Sequence, residues 1–155
     1  MKSLKIWSLA VVLLMAMVGC KGPNTPVGPT GSGNLDAIEK EWELVSVNGV
    51  ANDFSVYISF DMGTFAIFQQ VYTLDYKFYE GEYNISGDKL TGEYFEGGAW
   101  KCGYKASISE DGNTLTLVSD EASPITCVYQ ACTIPEEIRT EAISGTRCVE
   151  EVPFL

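Results

Sequence analysis

The sequence contains no histidine among its 155 residues. The Ser-His and Cys-His pairs that activate nucleophiles in many hydrolases are therefore excluded. No Cys-x-x-Cys pair is present, and the spacing of Cys127 and Cys132 is not typical of zinc ligands. We therefore predict no metal ion, no cofactor and no enzymatic activity. A carboxylate pair, which suffices for glycoside hydrolysis, is the remaining catalytic alternative, and Glu80 and Glu82 share one face of a predicted strand.

Positive charge is also scarce. The chain has 10 Lys and Arg against 21 Asp and Glu, which gives a formal net charge of −11. Such an acidic surface repels phosphate backbones, so we do not expect a nucleic acid partner. It also repels an anionic bilayer, so attachment to a membrane would need an interaction other than electrostatic attraction.

The longest apolar run is too short to span a bilayer. Residues 6–18 are apolar apart from Ser8, whereas a membrane-spanning helix needs about 20 apolar residues. Lys2 and Lys5 precede the run, and Gly19-Cys20 follows it. A basic start, an apolar centre and a small residue before a cleavage point are typical of secretory signals. We therefore predict that residues 1–19 are a signal peptide.

The segment Met17-Val18-Gly19-Cys20 resembles the lipobox of bacterial lipoproteins. In that family the chain is cut before the cysteine, which becomes the acylated first residue. The resemblance implies lipidation of Cys20 and a bilayer as partner; the alternative is an ordinary signal peptide followed by an unrelated cysteine. Residues 21–34 hold three prolines and four glycines, too little apolar content for a core. We therefore interpret residues 20–38 as the lipidated cysteine and a flexible tether.

We interpret residues 39–155 as one β-barrel domain. From Trp42 onward apolar and polar residues alternate in successive runs, which predicts strands with one buried face. Turn residues separate the runs, at Asn48-Gly49, Asp61-Met62-Gly63, Ser86-Gly87-Asp88, Glu96-Gly97-Gly98 and Asp111-Gly112-Asn113. We predict strands at 41–47, 54–60, 64–71, 76–86, 89–95, 100–109, 114–118 and 125–132. Eight strands with short connections favour an all-β, antiparallel up-and-down barrel. A capping-box pattern from Thr133 to Glu136 predicts one short helix near the end of the chain, closed by Gly145.

Three strings carry a resemblance to the lipocalin-like lipoproteins of Bacteroidetes: WELVSVNG at 42–49, GEYNISGDKLTGEYFEGGAWKCGYKASISEDGNTLTLVS at 81–119, and IPEEI at 134–138. The resemblance implies an eight-stranded barrel with an outer helix. It also implies attachment by lipid to the outer membrane, facing the periplasm or the cell surface. It implies no known ligand.

Aromatic residues on the predicted inner face are the candidate binding site. In a barrel of eight strands, inward side chains either fill the interior or line one small-ligand cavity. We predict a binding module, most simply a monomer, for a small and partly apolar ligand. The alternative is an accessory structural or interaction lipoprotein with a filled barrel and a protein partner. The candidate lining residues are Phe60, Tyr83, Tyr94, Trp100, Tyr104 and Tyr129.

Besides Cys20, the chain has four cysteines, an even number that suggests disulfides in an exported protein. Strand parity directs Cys102 and Cys127 to the interior and Cys132 to the outer face. We predict a Cys132–Cys148 disulfide, with Cys102 and Cys127 either paired or left as buried thiols.

Overall fold

The computed structural model describes residues 35–145 and 153–155. The predicted signal peptide, Cys20, most of the predicted tether and Cys148 lie outside these residues. What the sequence predicts for them therefore stays a prediction.

Short strands make up most of the described residues. In chain order these are β1 (Glu41–Val47), β2 (Val50–Ala51), β3 (Ser55–Asp61), β4 (Thr64–Gln70), β5 (Lys77–Ser86), β6 (Lys89–Tyr94), β7 (Tyr104–Ile108), β8 (Thr114–Ser119), β9 (Thr126–Cys132) and β10 (Ile143–Ser144). A 3-10 turn, Leu35–Ile38, precedes β1, and the helix α1 (Glu136–Glu141) lies between β9 and β10.

Eight of these strands form a closed antiparallel ring. The order is β1, β3, β4, β5, β6, β7, β8 and β9, and β9 pairs back with β1. The predicted eight-stranded up-and-down barrel is therefore confirmed. The two shortest strands lie off the ring, because β2 forms a hairpin with β1 and β10 pairs in parallel with the beginning of β5.

Tight turns occur where the sequence predicts them. Asn48 and Gly49 have φ angles of 51° and 78°, and Met62 and Gly63 have φ angles of 42° and 82°. Positive φ at both central positions matches the right-handed twist of the flanking strands, and glycine adopts it without steric cost. These turns set the register of the β1–β2 and β3–β4 hairpins.

The predicted strand 100–109 is too long. The observed strand β7 begins only at Tyr104, and it pairs with β6 at two positions, Lys89 with Lys105 and Leu90 with Tyr104. Residues before Tyr104 form a loop in which the Trp100 N–H donates to the Gly92 carbonyl at 2.8 Å. The alternation continues through this loop because Trp100 also faces the interior, so periodicity alone cannot locate the end of the strand.

The helix α1 is shorter than the sequence predicts. Pro135 is its N-cap, and no side chain caps it, so the predicted capping box is absent. The Glu41 carboxylate instead accepts the Ile134 N–H at 2.6 Å and pairs with Arg139. The helix ends at Glu141 and not at Gly145, because the chain turns extended at Ala142 to form β10.

Two apolar clusters hold the barrel together. The interior cluster includes Trp42, Phe65 and Leu117, and nearly all of it is inaccessible to solvent. The smaller outer cluster packs Ile134 and Ile138 against Phe68 on the outer wall. The helix therefore lies outside the barrel, as the family resemblance implies. Within residues 35–145 and 153–155, no helix has the length and apolar character needed to cross a membrane.

Candidate functional site

The six aromatic residues predicted to line a site all belong to, or pack against, the interior cluster. Five of them are at most 7 % exposed, and Tyr83 is half-buried. The sequence therefore assigns the inner face correctly for Phe60, Tyr83, Tyr94, Trp100, Tyr104 and Tyr129.

Three of these rings, Tyr94, Trp100 and Tyr104, belong to a series of aromatic rings in edge-to-face contact, which we call the aromatic series. Phe65 joins Tyr94 at 5.4 Å and Trp100 at 5.0 Å between ring centroids, and Trp100 joins Tyr104 at 6.0 Å. Tyr79 extends the series, 6.3 Å from Tyr94. Edge-to-face geometry is the favoured arrangement of aromatic pairs. Phe65 and Tyr79 were not among the sequence candidates, although both have inward parity on their strands.

A glycine makes room for Trp100. A Cβ at Gly92 would lie 2.3 Å from the indole ring, well inside van der Waals contact. The ring therefore lies directly on the backbone of β6, where any side chain would displace it. The sequence contains no signal for this contact, since Gly92 could equally mark a turn.

Two buried polar atoms in the interior have no hydrogen-bond partner among the described residues. These are Trp100 Nε1 and Tyr129 Oη. Burial is the main cause that raises the pKa of the Tyr129 hydroxyl well above its ordinary value, with smaller effects from Cys127 and Tyr104. Burial likewise raises the pKa of Tyr104, and a hydrogen bond with Cys102 adds to it. An unsatisfied buried polar group costs about 1–3 kcal/mol, a cost that a hydrogen bond with water or a ligand would offset.

Three cysteines are described, and all three are free thiols in the structure. Cys127 is buried in the interior and Cys102 packs against the same cluster, whereas Cys132 joins the outer cluster, so the predicted faces are correct. Burial raises the pKa of Cys127 and of Cys132 to about 11 each. Of the two predicted alternatives for Cys102 and Cys127, a disulfide or two thiols, the structure shows the thiols. It forms no bridge at Cys132, and with Cys148 outside the described residues the Cys132–Cys148 pairing stays a prediction.

The two ends of the barrel differ. We call the end that carries loops 48–54, 71–76, 95–103 and 120–125 the mouth. At the opposite end, Leu35 and Ile38 of the 3-10 turn enter the core, and Trp42 Nε1 donates to the Ile38 carbonyl at 2.9 Å. That end is closed by the chain that leads into β1.

The mouth is occupied by residues 153–155. Leu155 is 3 % exposed and belongs to the interior cluster. Its main-chain oxygen accepts the Tyr94 hydroxyl at 2.6 Å, and the Phe154 N–H donates to Gln69 Oε1 at 2.7 Å. Neither Gln69 nor Leu155 was a sequence candidate. No periodicity marks the final residues, and a glutamine in a strand is ordinarily taken to be exposed.

A cleft of about 60 Å³ lies where β5, β6 and β10 meet. Tyr79 and Tyr94 line it from the barrel side, and Phe95 and Glu96 line it from the mouth loop. It is much smaller than the cavities of about 300 Å³ or more that hold drug-sized ligands. The cleft is therefore not the interior cavity that an open binding barrel would show.

The carboxylates considered for catalysis, Glu80 and Glu82, are both exposed on the outer face of β5. The main-chain oxygen of Glu80 accepts the Phe95 N–H at 3.1 Å. Among residues 35–145 and 153–155, no group of three or more Cys, Asp or Glu side chains is placed to hold a metal ion.

The strand order and the outer helix define an eight-stranded, antiparallel up-and-down barrel. No protein-family model and no curated protein matches the sequence. Solved structures with a similar course of the chain include a lipocalin-like protein from Bacteroides uniformis, with a TM-score of 0.47, 16 % identity, and coverage of 62 % of this chain and 99 % of that one. An uncharacterized protein from Bacteroides eggerthii has a TM-score of 0.46 and 12 % identity, with coverage of 60 % of this chain and 98 % of that one. A REP1-NXSQ fatty acid transporter has a TM-score of 0.38 and 11 % identity, with coverage of 64 % of this chain and 99 % of that one.

Proposed function

We propose that this protein is a lipid-anchored binding module that holds a small, partly apolar ligand in the mouth half of its barrel. The observation that carries the proposal is the pair of buried, unpartnered polar atoms, Trp100 Nε1 and Tyr129 Oη, inside an aromatic interior. A donor and a hydroxyl with unmet hydrogen-bonding capacity would orient a ligand whose remaining surface is apolar. Catalysis has no part in the proposal.

The anchor belongs to the same proposal. The lipobox-like segment ending in Cys20 would attach the chain to the outer membrane through its acyl groups. The acidic surface would keep the barrel away from anionic headgroups and leave its mouth accessible.

One observation favours the second candidate, an interaction protein with a filled barrel. Residues 153–155 occupy the mouth, and the interior rings pack closely on one another. If this occupancy were permanent, only the outer surface would remain for a partner. The two candidates therefore differ in whether an apolar molecule can enter beside the aromatic rings.

A contact quencher tests entry and locates it. Beyond the predicted signal peptide, the only tryptophans are Trp42, near the closed end, and Trp100, in the mouth loop. The probe is a dodecanoic acid with two bromine atoms, which quench indole emission only at contact. We expect saturable quenching of the chain that begins at residue 21. The Trp42→Phe variant, which keeps Trp100, should lose most of its emission.

The matched variant is Trp100→Phe, in which Trp42 reports on the closed end. It should keep most of its emission at the same probe concentration. Equal quenching of both variants would contradict binding in the mouth half. No saturable quenching in either would favour the filled barrel.

A further inference from the structure

Resting on the proposed function, we propose that residues 153–155 are an intramolecular competitor that occupies part of the mouth when no ligand is bound. Their contacts also define the chemical class of the ligand. It has an apolar body and an oxygen that accepts a hydrogen bond from Tyr94, and in a small hydrophobic peptide or amide an N–H group would also donate to Gln69.

The first contact is made by Leu155. Its side chain is buried among barrel residues, and its main-chain oxygen lies 2.6 Å from the Tyr94 hydroxyl in a buried hydrogen bond. Tyr94 is itself one of the rings of the interior series, 5.4 Å from Phe65. Leu155 therefore packs among the interior aromatic rings and does not lie only on the rim of the barrel.

The second contact is made by Phe154. Its N–H donates to Oε1 of Gln69, a side chain that is 2 % exposed on the inner face of β4. Its ring lies 5.9 Å from that of Phe54, tilted by 50°. A buried amide needs hydrogen bonds to offset its lost hydration, and here the segment supplies one of them.

The segment resembles a ligand more than a part of the wall. Residues 153–155 belong to no strand or helix, whereas every strand of the ring is paired on both sides. Both polar contacts reach side chains of the barrel from the main chain of the segment, as an extended peptide would bind. Such a segment can leave without breaking the strand ladder, and a competing molecule would then bind with reduced apparent affinity.

The test replaces a buried leucine by a charge. In Leu155→Asp the segment should leave the mouth, because an unpaired Asp carboxylate would be buried where the Leu155 side chain packs, and such burial is strongly unfavourable at neutral pH. The matched control is Leu74→Asp, since Leu74 is 93 % exposed. If the segment occupies the mouth about nine-tenths of the time, Leu155→Asp should bind the dibrominated fatty acid about tenfold more tightly than the natural chain, and Leu74→Asp should not differ from it.

The synthetic peptide acetyl-Pro-Phe-Leu is the second probe, followed by calorimetry. It should bind Leu155→Asp and compete there with the fatty acid, while binding the natural chain about tenfold less tightly. Equal affinities of both chains for both probes would overturn the competitor and leave the proposed function standing. If neither the natural chain nor any variant binds the fatty acid, the proposed function fails. Binding of the peptide to Leu155→Asp would then still show whether residues 153–155 occupy a peptide-binding site that they can leave.

A less disruptive variant keeps the test valid if Leu155→Asp does not fold. Phe154→Ala removes the contact with Phe54 but leaves Leu155 in place, and Phe95→Ala is its exposed control. We expect a smaller gain in fatty acid affinity for Phe154→Ala, in the same direction, and none for Phe95→Ala. A loss of fatty acid affinity in Phe154→Ala would mean that residues 153–155 help to hold the ligand, which would contradict the proposal that they compete with it.

Discussion

The Phe65→Ala variant should lose about 3–5 kcal/mol of its free energy of unfolding, the usual cost of truncating a buried phenylalanine. Phe65 is 2 % exposed, and its ring contacts both Tyr94 and Trp100. Removing it leaves a cavity at the centre of the aromatic series, and close neighbours in a barrel cannot collapse to fill it. Urea denaturation followed by far-ultraviolet circular dichroism measures the change.

The control is Phe95→Ala, which removes the same ring from a side chain that is 56 % exposed. Its stability should stay within about 0.5 kcal/mol of the natural chain. A loss below about 1 kcal/mol in Phe65→Ala would mean that the interior is loosely packed, contrary to the ring contacts.

The second large effect is expected at the anchor. Cys20→Ala should abolish membrane attachment, because the acyl groups would have no attachment point and the acidic surface offers no other affinity for anionic lipid. The fold should be unchanged, since the described barrel makes its core from residue 35 onward. Fractionation of the cell envelope and metabolic labelling with a fatty acid measure attachment and acylation directly.

Cys132→Ala is the matched control, because it also removes a thiol but lies on the outer wall of the barrel. It should remain acylated and membrane-bound. Retention of Cys20→Ala in the membrane fraction would mean that another segment anchors the chain, and the interpretation of residues 17–20 would then be wrong.

Alternation and turn chemistry predict most of the barrel. The predicted and observed bounds of β1 coincide, and the other long strands differ by a residue or two at their ends, apart from β7. This success has a physical reason: each strand buries one face only, so polar and apolar residues must alternate along it. Asn48-Gly49 marks its turn because few other residue pairs adopt positive φ twice.

Contacts that depend on the three-dimensional meeting of distant segments could not be predicted. Gly92 lies under Trp100 only because the mouth loop folds back over β6. The helix stops early because β10 pairs with the first two residues of β5, which lie before the part of β5 that pairs with β6, and no local pattern signals this. Residues 153–155 form no periodic element, so their burial in the mouth is visible only in the structure.

Native mass spectrometry of the protein released from its own host membrane shows directly whether the barrel holds a small, partly apolar ligand. We expect a population heavier than the acylated chain by the mass of one small molecule, which is lost when the protein is denatured. That population should be larger for Leu155→Asp than for Leu74→Asp. A single mass equal to the acylated chain in the natural protein and in both variants would mean that the barrel holds no such ligand.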